Sequence, residues 1–432
     1  MVIRRYRDAK VRQDRRGAQV SLEEILYMTG LVLWILQVYI GKTIFADFYG
    51  GKLLTAIRYF CMLIFAVKIL LSEKSIRMRT SFIVLLLTAV FLVVQRNINT
   101  GMPLIQLLLM ILGAKDVSFK RICKVMFWTS LIAWFIPILV DRLGIYHLPQ
   151  MYELHREREY LNYTYVSFAA IYFNNIVYCA LYAYTDFDRE GRGHHVGYRR
   201  EVSWIAICIM AAVEVWLYAV TDTTLPFLVG MMCIALYVVT IKLRVPLFEN
   251  RRGERILSLL LFPALAIGTY LIAKNYKSRV SRWARLDKMT HSRLSLANQG
   301  LKKYGVHAFG AQIVENTDMA KGSYFYIDSG YIKNLILYGL IVFVVVILMY
   351  SVMFYAAVVS RDKVLALMLF CIAVYSVNNN NLLSPVENGS ILAFCYCIKL
   401  LSWQRDKRRA KRVRRKKGRR EYIESKIRTA ES

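Results

Sequence analysis

Long, continuous apolar blocks recur along most of the 432-residue chain and are separated by short polar segments. The blocks are roughly 17–25 residues long, which is the length at which a helix crosses the hydrocarbon core of a bilayer. Only helices and closed barrels span lipid, because backbone groups find no water there, and barrel strands alternate apolar with polar residues. The blocks do not alternate, so they predict an all-α polytopic membrane protein.

The positions of the blocks define the expected organisation of the chain. We predict about twelve membrane-spanning helices from block length and hydropathy. They lie at about 22–45, 52–71, 80–95, 99–114, 122–141, 164–184, 202–220, 224–243, 255–273, 330–357, 362–378 and 388–403. A basic arm (1–21) precedes this transmembrane domain (22–403), and a basic tail (404–432) follows it. The first block follows a basic arm and has full spanning length, so we expect no cleaved signal sequence.

The distribution of positive charge predicts the orientation of the helices. The chain has 59 Lys and Arg residues against 29 Asp and Glu residues, a net charge of +30. Most of this charge lies in the arm, the tail and the short segments at every second crossing, which the positive-inside rule assigns to the cytoplasm. Both termini are then cytoplasmic, as an even number of spans requires. Because topology accounts for the charge, we predict no nucleic-acid partner.

Two longer polar segments, 142–163 and 274–329, fall on the extracytoplasmic side in this orientation and are also basic. Long loops cross a membrane regardless of their charge, so the predicted topology stands. Their excess positive charge predicts an anionic ligand outside. The larger loop is expected to contain short amphipathic helices, because apolar residues within Arg293–Tyr304 follow helical spacing. We expect that helix to lie on the membrane surface and a turn to follow at Phe309-Gly310.

Arg293 and Asp328 are the residues of the larger loop best suited to chemistry. An arginine offers a planar, permanently charged fork that matches phosphate oxygens, and it also occurs as a snorkelling side chain or in a loop ion pair. Asp328 stands just before the span that begins at 330. Its carboxylate either caps that helix or acts as a base that positions an incoming hydroxyl.

Other polar residues stand in the smaller loop and inside the spans. Arg156 and Arg158 either pair with neighbouring glutamates or contact the anionic ligand. Asn174 and Asn175 are polar groups within a predicted span and must face a cavity or another helix. Glu214 also lies within a predicted span, where an ionisable group is a functional candidate or pairs with a neighbouring helix.

Aromatic residues and possible metal ligands complete the list of candidates. Tyr324, Tyr326 and Tyr331 form either an interfacial aromatic belt or a sugar-stacking surface. The sequence has no glycine-rich nucleotide loop, metal-ligand cluster or Ser-His-Asp spacing, so we expect no metal and no other cofactor. All eight cysteines lie in or beside apolar blocks, which predicts no disulfide framework.

An ordered set of motifs runs through the larger loop and into the next span. It consists of Arg293, Ala297, Leu301-Lys302-Lys303-Tyr304-Gly305, Phe309-Gly310, Tyr326-Ile327-Asp328-Ser329-Gly330-Tyr331, Leu335 and Tyr338-Gly339-Leu340. With the twelve-span layout, this order resembles the Wzy-type polysaccharide polymerases, which belong with the O-antigen ligases in one superfamily. Arg158 and the downstream Asn174-Asn175 resemble the family's other outer-loop arginine and its asparagine. Asp328 stands where the ligases have a histidine, which favours a polymerase.

The resemblance implies glycosyl transfer at the outer face of the cytoplasmic membrane, without metal or nucleotide sugar. A growing chain on undecaprenyl diphosphate is transferred to a new lipid-linked repeat unit. The implied partners are these donor and acceptor oligosaccharides, membrane lipids and a chain-length regulator. The implied catalytic residues are Arg293, Asp328 and Arg158. The implied substrate-binding residues are Arg156, His291, Tyr326, Ser329, Tyr331, Asn174 and Asn175.

Two other functions remain open. A flippase for the same lipid-linked oligosaccharide predicts charged residues along a path through several spans, whereas this chain has few mid-span charges, of which Glu214 is the clearest. A ligase would transfer finished glycan to another acceptor. The chain also departs from the polymerase pattern, with Thr221-Asp222-Thr223-Thr224 where the family often has Ser-Arg. A non-catalytic scaffold leaves the cationic loop unexplained.

Overall fold

In the computed structural model, the described residues are 21–72, 78–98, 102–148, 151–153, 156–188, 197–278, 280–316 and 324–407, together with 409–410 and 413. The predicted basic arm, apart from Ser21, lies outside the described residues, as does most of the basic tail. The description below therefore concerns the predicted transmembrane domain and most of its two longer loops.

The described part of the chain is built almost entirely from helices. In chain order they are α1 (Leu22–Ile40), α2 (Phe45–Leu71), α3 (Met78–Ile98), α4 (Pro103–Gly113), α5 (Phe119–Arg142), α6 (Phe168–Ala183), α7 (Trp204–Thr221), α8 (Thr224–Tyr237), α9 (Arg252–Lys274), α10 (Ser281–Met289), α11 (Arg293–Tyr304), α12 (Gly330–Leu337), α13 (Gly339–Val359) and α14 (Lys363–Tyr375). A π-helical turn (Val238–Lys242) continues α8, and a 3₁₀ turn (Gly389–Ala393) precedes α15 at 394–407. Two antiparallel hairpins pair β1 (Met151–Glu153) with β2 (Arg156–Arg158), and β3 (Asp186–Asp188) with β4 (Gly197–Arg200).

Seven helices of the described residues are long and apolar enough to cross a membrane. They are α1, α2, α5, α7, α8 with its π-helical turn, α9 and α13. This confirms the all-α, multi-pass membrane class. The remaining predicted spans coincide with α3, of which Val84–Ile98 is apolar, and with the shorter helices α4, α6, α14 and α15. For example, α4 has 11 residues, and a helix of that length covers only about 16 Å of a hydrocarbon core about 30 Å thick. The number of crossings therefore stays a prediction.

The segment 330–357, which the sequence predicts as one span, is divided into α12 and α13. Gly339 at the break has φ +80°, and it packs against Gly310, which has the same φ. A side chain on either glycine would overlap the backbone of the facing segment. The predicted turn at Phe309-Gly310 is confirmed, and its contact with Gly339 explains why one continuous helix does not form.

Side-chain caps mark where several helices begin. Ser21 accepts a hydrogen bond from the Glu24 amide at 3.2 Å, and Ser203 accepts one from Ala206 at 3.2 Å. These oxygens satisfy amides that have no partner inside the helix. Local sequence therefore sets these helix starts, whereas the glycine contact described above sets the division of 330–357.

Helix α6 lies at the centre of the bundle. All of its residues from Ala169 to Ala183 are buried. It packs against α5, α7, α8 and α14 and against the 3₁₀ turn. Asn174 and Asn175 therefore face other helices, as the sequence required of polar groups in this span.

The sequence predicts that the apolar face of α11 lies on the membrane surface, but in the structure other helices bury this face. Its buried residues Leu294 and Ala297 pack with Ala273 of α9 and with Ile332 and Ile336 of α12. The expected helix is present with its expected bounds. Its apolar face contacts protein and not the membrane surface, because α9 and α12 bury it.

Candidate functional site

Arg293 and Asp328 form an ion pair between the larger loop and the start of α12. The Nε atom of Arg293 lies 3.4 Å from Oδ2 of Asp328. The Nη1 atom of Arg293 donates to the backbone oxygen of Asn378 at 3.2 Å. Because Arg293 begins α11 and Asp328 precedes α12, the packing of these two helices brings the pair together.

A tight turn between α10 and α11 holds Arg293 in place. His291 and Ser292 in this turn have φ values of 51° and 62°, and His291 is exposed. The carboxylate of Asp287 accepts hydrogen bonds from the Ser295 amide at 2.8 Å and from the Tyr276 hydroxyl at 3.2 Å. A carboxylate near a helix N-terminus stabilises the first turn. Asp287, which the sequence did not single out, thus fixes the start of α11.

Arg158 reaches the same region from the smaller loop. Its Nε and Nη2 atoms donate at 3.0 and 3.3 Å to two backbone oxygens at the C-terminal end of α7, where a cation complements the helix dipole. Burial and the charge of Asp328 raise the pKa of the nearby Tyr165 phenol, and Arg293 and Arg158 oppose part of the shift. The charges of the three residues predicted to be catalytic therefore all act on Tyr165.

Backbone hydrogen bonds anchor the segment that carries Arg158 and Tyr165. The amide of Ile44 donates to the oxygen of Asn162 at 3.1 Å, and the amide of Thr164 donates to the oxygen of Lys42 at 3.0 Å. The smaller loop is thereby attached to the turn between α1 and α2. This attachment holds the segment beside α11 and α12 and brings Lys42 to the same end of the bundle.

A network of charged and aromatic contacts lies next to Asp328. Lys333 of α12 pairs with Oε2 of Glu315 at 2.7 Å, and its ammonium group lies 4.1 Å from the centroid of the Tyr326 ring. The other oxygen of Glu315 accepts from the Ile327 amide at 3.1 Å. Burial raises the pKa of Asp328, Arg293 and Lys333 oppose the shift, and Glu315 adds to it.

Glu387 contributes a second carboxyl group to this region. Burial raises the pKa of Glu387 to about 7, although a hydrogen bond from Ser384 and the charges of Lys42 and Lys333 oppose the shift. The charge of Glu387 also acts on the Tyr326 phenol, whose pKa is raised mainly by burial. The sequence places Glu387 only at the edge of a predicted span, and its position facing Tyr326 comes from tertiary packing. We call the following set the Arg293 cluster: Arg158, Tyr165, Arg293, Tyr326, Asp328 and Glu387.

The run of asparagines before Glu387 has a structural role. The oxygen of Ser376 accepts from the Gly330 amide at 3.0 Å, and Asn380 accepts from the Asn334 side chain at 3.0 Å. A Cβ atom on Gly330 would lie 2.6 Å from the Asn379 oxygen, so only glycine allows this approach. The run therefore holds the N-terminus of α12, and through the Asn378 oxygen it also holds Arg293.

The structure places several predicted binding residues in backbone contacts. Ser329 caps α12 by accepting from the Ile332 amide, so the alternative that Asp328 is the cap is wrong. The Tyr331 hydroxyl donates to the Ala373 oxygen at 2.9 Å. Asn174 and Asn175 donate to the oxygens of Pro226 and Pro385 at 2.9 and 3.4 Å. The backbone of Arg156 lies in β2, and its side chain lies outside the described residues.

No family model, curated protein or solved structure matches this chain.

The Arg293 cluster combines cations, carboxyl groups and phenols at one end of the bundle. Arginine forks bind phosphate oxygens through paired, charge-assisted hydrogen bonds. A carboxyl group whose pKa lies near the working pH accepts a proton from a hydroxyl more effectively than a fully exposed one does. Among the described residues, no group of three or more His, Cys, Asp or Glu side chains has an arrangement that holds a metal ion.

Proposed function

We propose that this protein polymerises lipid-diphosphate-linked oligosaccharides at the outer face of the cytoplasmic membrane. The observation that carries the proposal is the grouping of Arg158, Arg293 and Asp328 around Tyr165. These residues come from two loops separated by several helices, and the sequence pattern singles out all three. Undecaprenyl diphosphate is the proposed carrier of both donor and acceptor.

In the proposed reaction, the bond between the anomeric carbon of the donor glycan and the diphosphate oxygen breaks. The leaving lipid diphosphate gains negative charge, which Arg293 and Arg158 stabilise as it develops. Cations that are already held in place need little reorganisation at that moment. The contacts of Arg293 with Asp328 and the Asn378 oxygen, and those of Arg158 with the end of α7, supply this preorganisation.

The new bond forms between the anomeric carbon and a hydroxyl oxygen of the acceptor sugar. The proton of that hydroxyl passes to a carboxylate of the cluster. Asp328 is held by Arg293 and orients or deprotonates the acceptor. Glu387, with a pKa of about 7, is the second carboxylate positioned to take the proton. Tyr326 and Tyr165, on which the charges of these groups act, offer a surface for the sugar.

Arg293→Ala tests this proposal in reconstituted vesicles that contain a defined lipid-diphosphate-linked oligosaccharide. We expect the variant to remain in the membrane and to leave single repeats unpolymerised. Arg282→Ala is the matched control, because Arg282 is an exposed arginine of α10 in the same loop, and it should keep the normal ladder of glycan lengths.

A normal ladder from the Arg293→Ala variant would refute the assignment of Arg293. Wild-type protein that moves the oligosaccharide between leaflets without lengthening it would refute polymerisation and favour the flippase. Transfer to an added, non-lipid acceptor in place of lengthening would favour the ligase.

A further inference from the structure

A buried carboxylate faces a buried amide oxygen inside the helix bundle, and neither side chain belongs to the Arg293 cluster. Glu214 of α7 has no solvent exposure, and neither of its carboxylate oxygens has a hydrogen-bond partner. The side-chain oxygen of Asn174 in α6 is likewise buried without a partner. A methyl group on Gly230 of α8 would overlap both the Asn174 oxygen and a Glu214 oxygen. The two oxygens therefore both border the position that a Gly230 side chain would occupy.

Because of the orientation of Asn174, its amide oxygen and the Glu214 carboxylate are two hydrogen-bond acceptors that face each other. Its amide nitrogen donates to the Pro226 oxygen at 2.9 Å, which turns the amide oxygen toward Glu214. If the amide were reversed, its oxygen would face the Pro226 oxygen. Two acceptors would then still face each other, at Pro226 and not at Glu214. Two facing acceptors repel, and leaving buried polar groups unsatisfied is costly to the folded state. A positively charged atom between them removes this cost.

Two buried phenols belong to the same group of side chains. Tyr178 of α6 and Tyr375 of α14 are both buried. The Tyr178 hydroxyl has no hydrogen-bond partner, and the Tyr375 hydroxyl lies close to the Asn174 side chain without a well-formed hydrogen bond to it. The charge of Glu214 acts on both phenols, and the Asn174 side chain faces Tyr375. This buried group thus contains five oxygen atoms from three helices, and only the Glu214 carboxylate carries a formal charge.

The number and type of these oxygens indicate the ligand. Hard cations prefer carboxylate, amide and hydroxyl oxygens. A proton on Glu214 joins only one pair of oxygens, whereas a metal cation contacts several at once. A single carboxylate balances one positive charge, and an unbalanced charge in a bundle interior is costly. We propose that Glu214, Asn174, Tyr178 and Tyr375 bind one monovalent alkali cation, of which Na⁺ is the probe.

This cation site adjoins the Arg293 cluster through Tyr375. The charges of Glu387, Arg293 and Glu214 all act on the Tyr375 phenol. A bound cation holds α6, α7 and α14 together at this level. The inference does not depend on the reaction proposed above, because its tests measure cation binding and not glycan transfer.

The first test is thermal unfolding of the purified full-length protein in detergent, in NaCl or in choline chloride at equal ionic strength. We expect Na⁺ to raise the melting temperature of the wild type, because a ligand that binds only the folded state stabilises it. Glu214→Gln should fold, since its amide group donates to the Asn174 oxygen, but should lose the Na⁺ response. An unchanged response in this variant, or none in the wild type, would overturn the proposal.

The position of the site is tested at Gly230. Gly230→Ala places a methyl group against the two oxygens that are proposed to hold the cation and displaces them, so this variant should also lose the Na⁺ response. Gly268→Ala in α9 is the control, because nothing lies within 4 Å of a Cβ atom there, and it should respond to Na⁺ as the wild type does. A full Na⁺ response in Gly230→Ala would contradict the proposed position.

A measurement on the wild type alone keeps the proposal testable if these variants do not fold. A hydrophobic carbodiimide modifies protonated carboxyl groups in apolar surroundings, and mass spectrometry locates the modified residue. Na⁺ at about ten times its dissociation constant should slow modification of Glu214 about tenfold, because only the cation-free fraction reacts. Modification at a rate that Na⁺ does not change would show a proton site and refute binding of an alkali cation.

Discussion

Lys333 is a charged residue on the buried helix α12, and its substitution tests the network next to Asp328. Its ammonium group pairs with Glu315 at 2.7 Å, and the two side chains are only 10% and 22% exposed. The same group lies 4.1 Å from the centroid of the Tyr326 ring. Lys333→Met keeps most of the side-chain volume and removes the charge. We predict a large loss of stability, because Glu315 is left as a buried anion without its partner.

The magnitude follows from the burial of the pair. Breaking a buried ion pair by removing one partner costs about 3–5 kcal/mol. Glu315 keeps some contact with solvent and keeps its hydrogen bond from the Ile327 amide, which favours the lower end of that range. Loss of the cation–π contact adds about 0.5–1 kcal/mol, and burial of the methionine side chain offsets part of it. We therefore expect Lys333→Met to lower the free energy of unfolding by about 3 kcal/mol.

A second substitution separates the lost charge balance from lost packing. Glu315→Gln removes the anion but keeps an oxygen that accepts from the Ile327 amide. The double variant Lys333→Met/Glu315→Gln should therefore lie within about 1 kcal/mol of the wild type. Denaturant titration of the purified protein in detergent, followed by circular dichroism, measures these differences. Lys302→Met is the control, because Lys302 is an exposed lysine of α11.

Two results would refute this reasoning. A Lys333→Met variant as stable as the Lys302→Met control would show that the pair contributes nothing. A double variant as unstable as the single one would show that packing, and not the unpaired charge, determines the cost.

Two further predictions concern the pH response and the break between α12 and α13. Burial raises the pKa of Glu387 to about 7, so the rate of glycan lengthening should rise as the pH increases through 7. Glu387→Gln should lose both this rise and most of the rate. A pH–rate profile that is unchanged in the variant would contradict the role of Glu387. The folded state holds this proton more tightly than the unfolded chain, whose ordinary pKa is 4.5, so the wild type should lose stability relative to Glu387→Gln as the pH rises from 4.5 to 7. Gly339→Ala should lower the free energy of unfolding by at least about 2 kcal/mol, because φ is +80° and a methyl group would overlap the facing backbone. Gly253→Ala, with nothing within 4 Å of its Cβ atom, should have little effect, and equal stability of these two glycine variants would show that the break is not strained.

Much of the secondary structure could be predicted from local sequence. A helix overlies each predicted span, and Arg293–Tyr304 was predicted with the bounds that the structure shows. The reason is that hydropathy and helical spacing depend on neighbouring residues alone. The segment 330–357 was predicted as one helix because its break is caused by Gly310, a residue of the preceding loop.

The candidate site was predictable in its residues but not in their contacts. Arg158, Arg293 and Asp328 were singled out by residue type and order. Asp287, which starts α11, and Glu387, which faces Tyr326, were not, because their partners lie elsewhere in the chain or are backbone groups. The sequence allowed Asp328 to be either the cap of α12 or a base, whereas the side chain of Ser329 provides the cap.

The sequence by itself determined that this chain forms apolar helices for a membrane and that its two longer loops are basic. Both follow from composition along short windows, which do not depend on how the helices pack. Tertiary structure alone decided which polar groups meet. It brought two loops together at Tyr165, and it placed Glu214 against Asn174 at a glycine of a third helix. These contacts form only where whole helices approach each other closely. Glycine contacts and buried hydrogen bonds determine where that happens, and no local sequence pattern shows it.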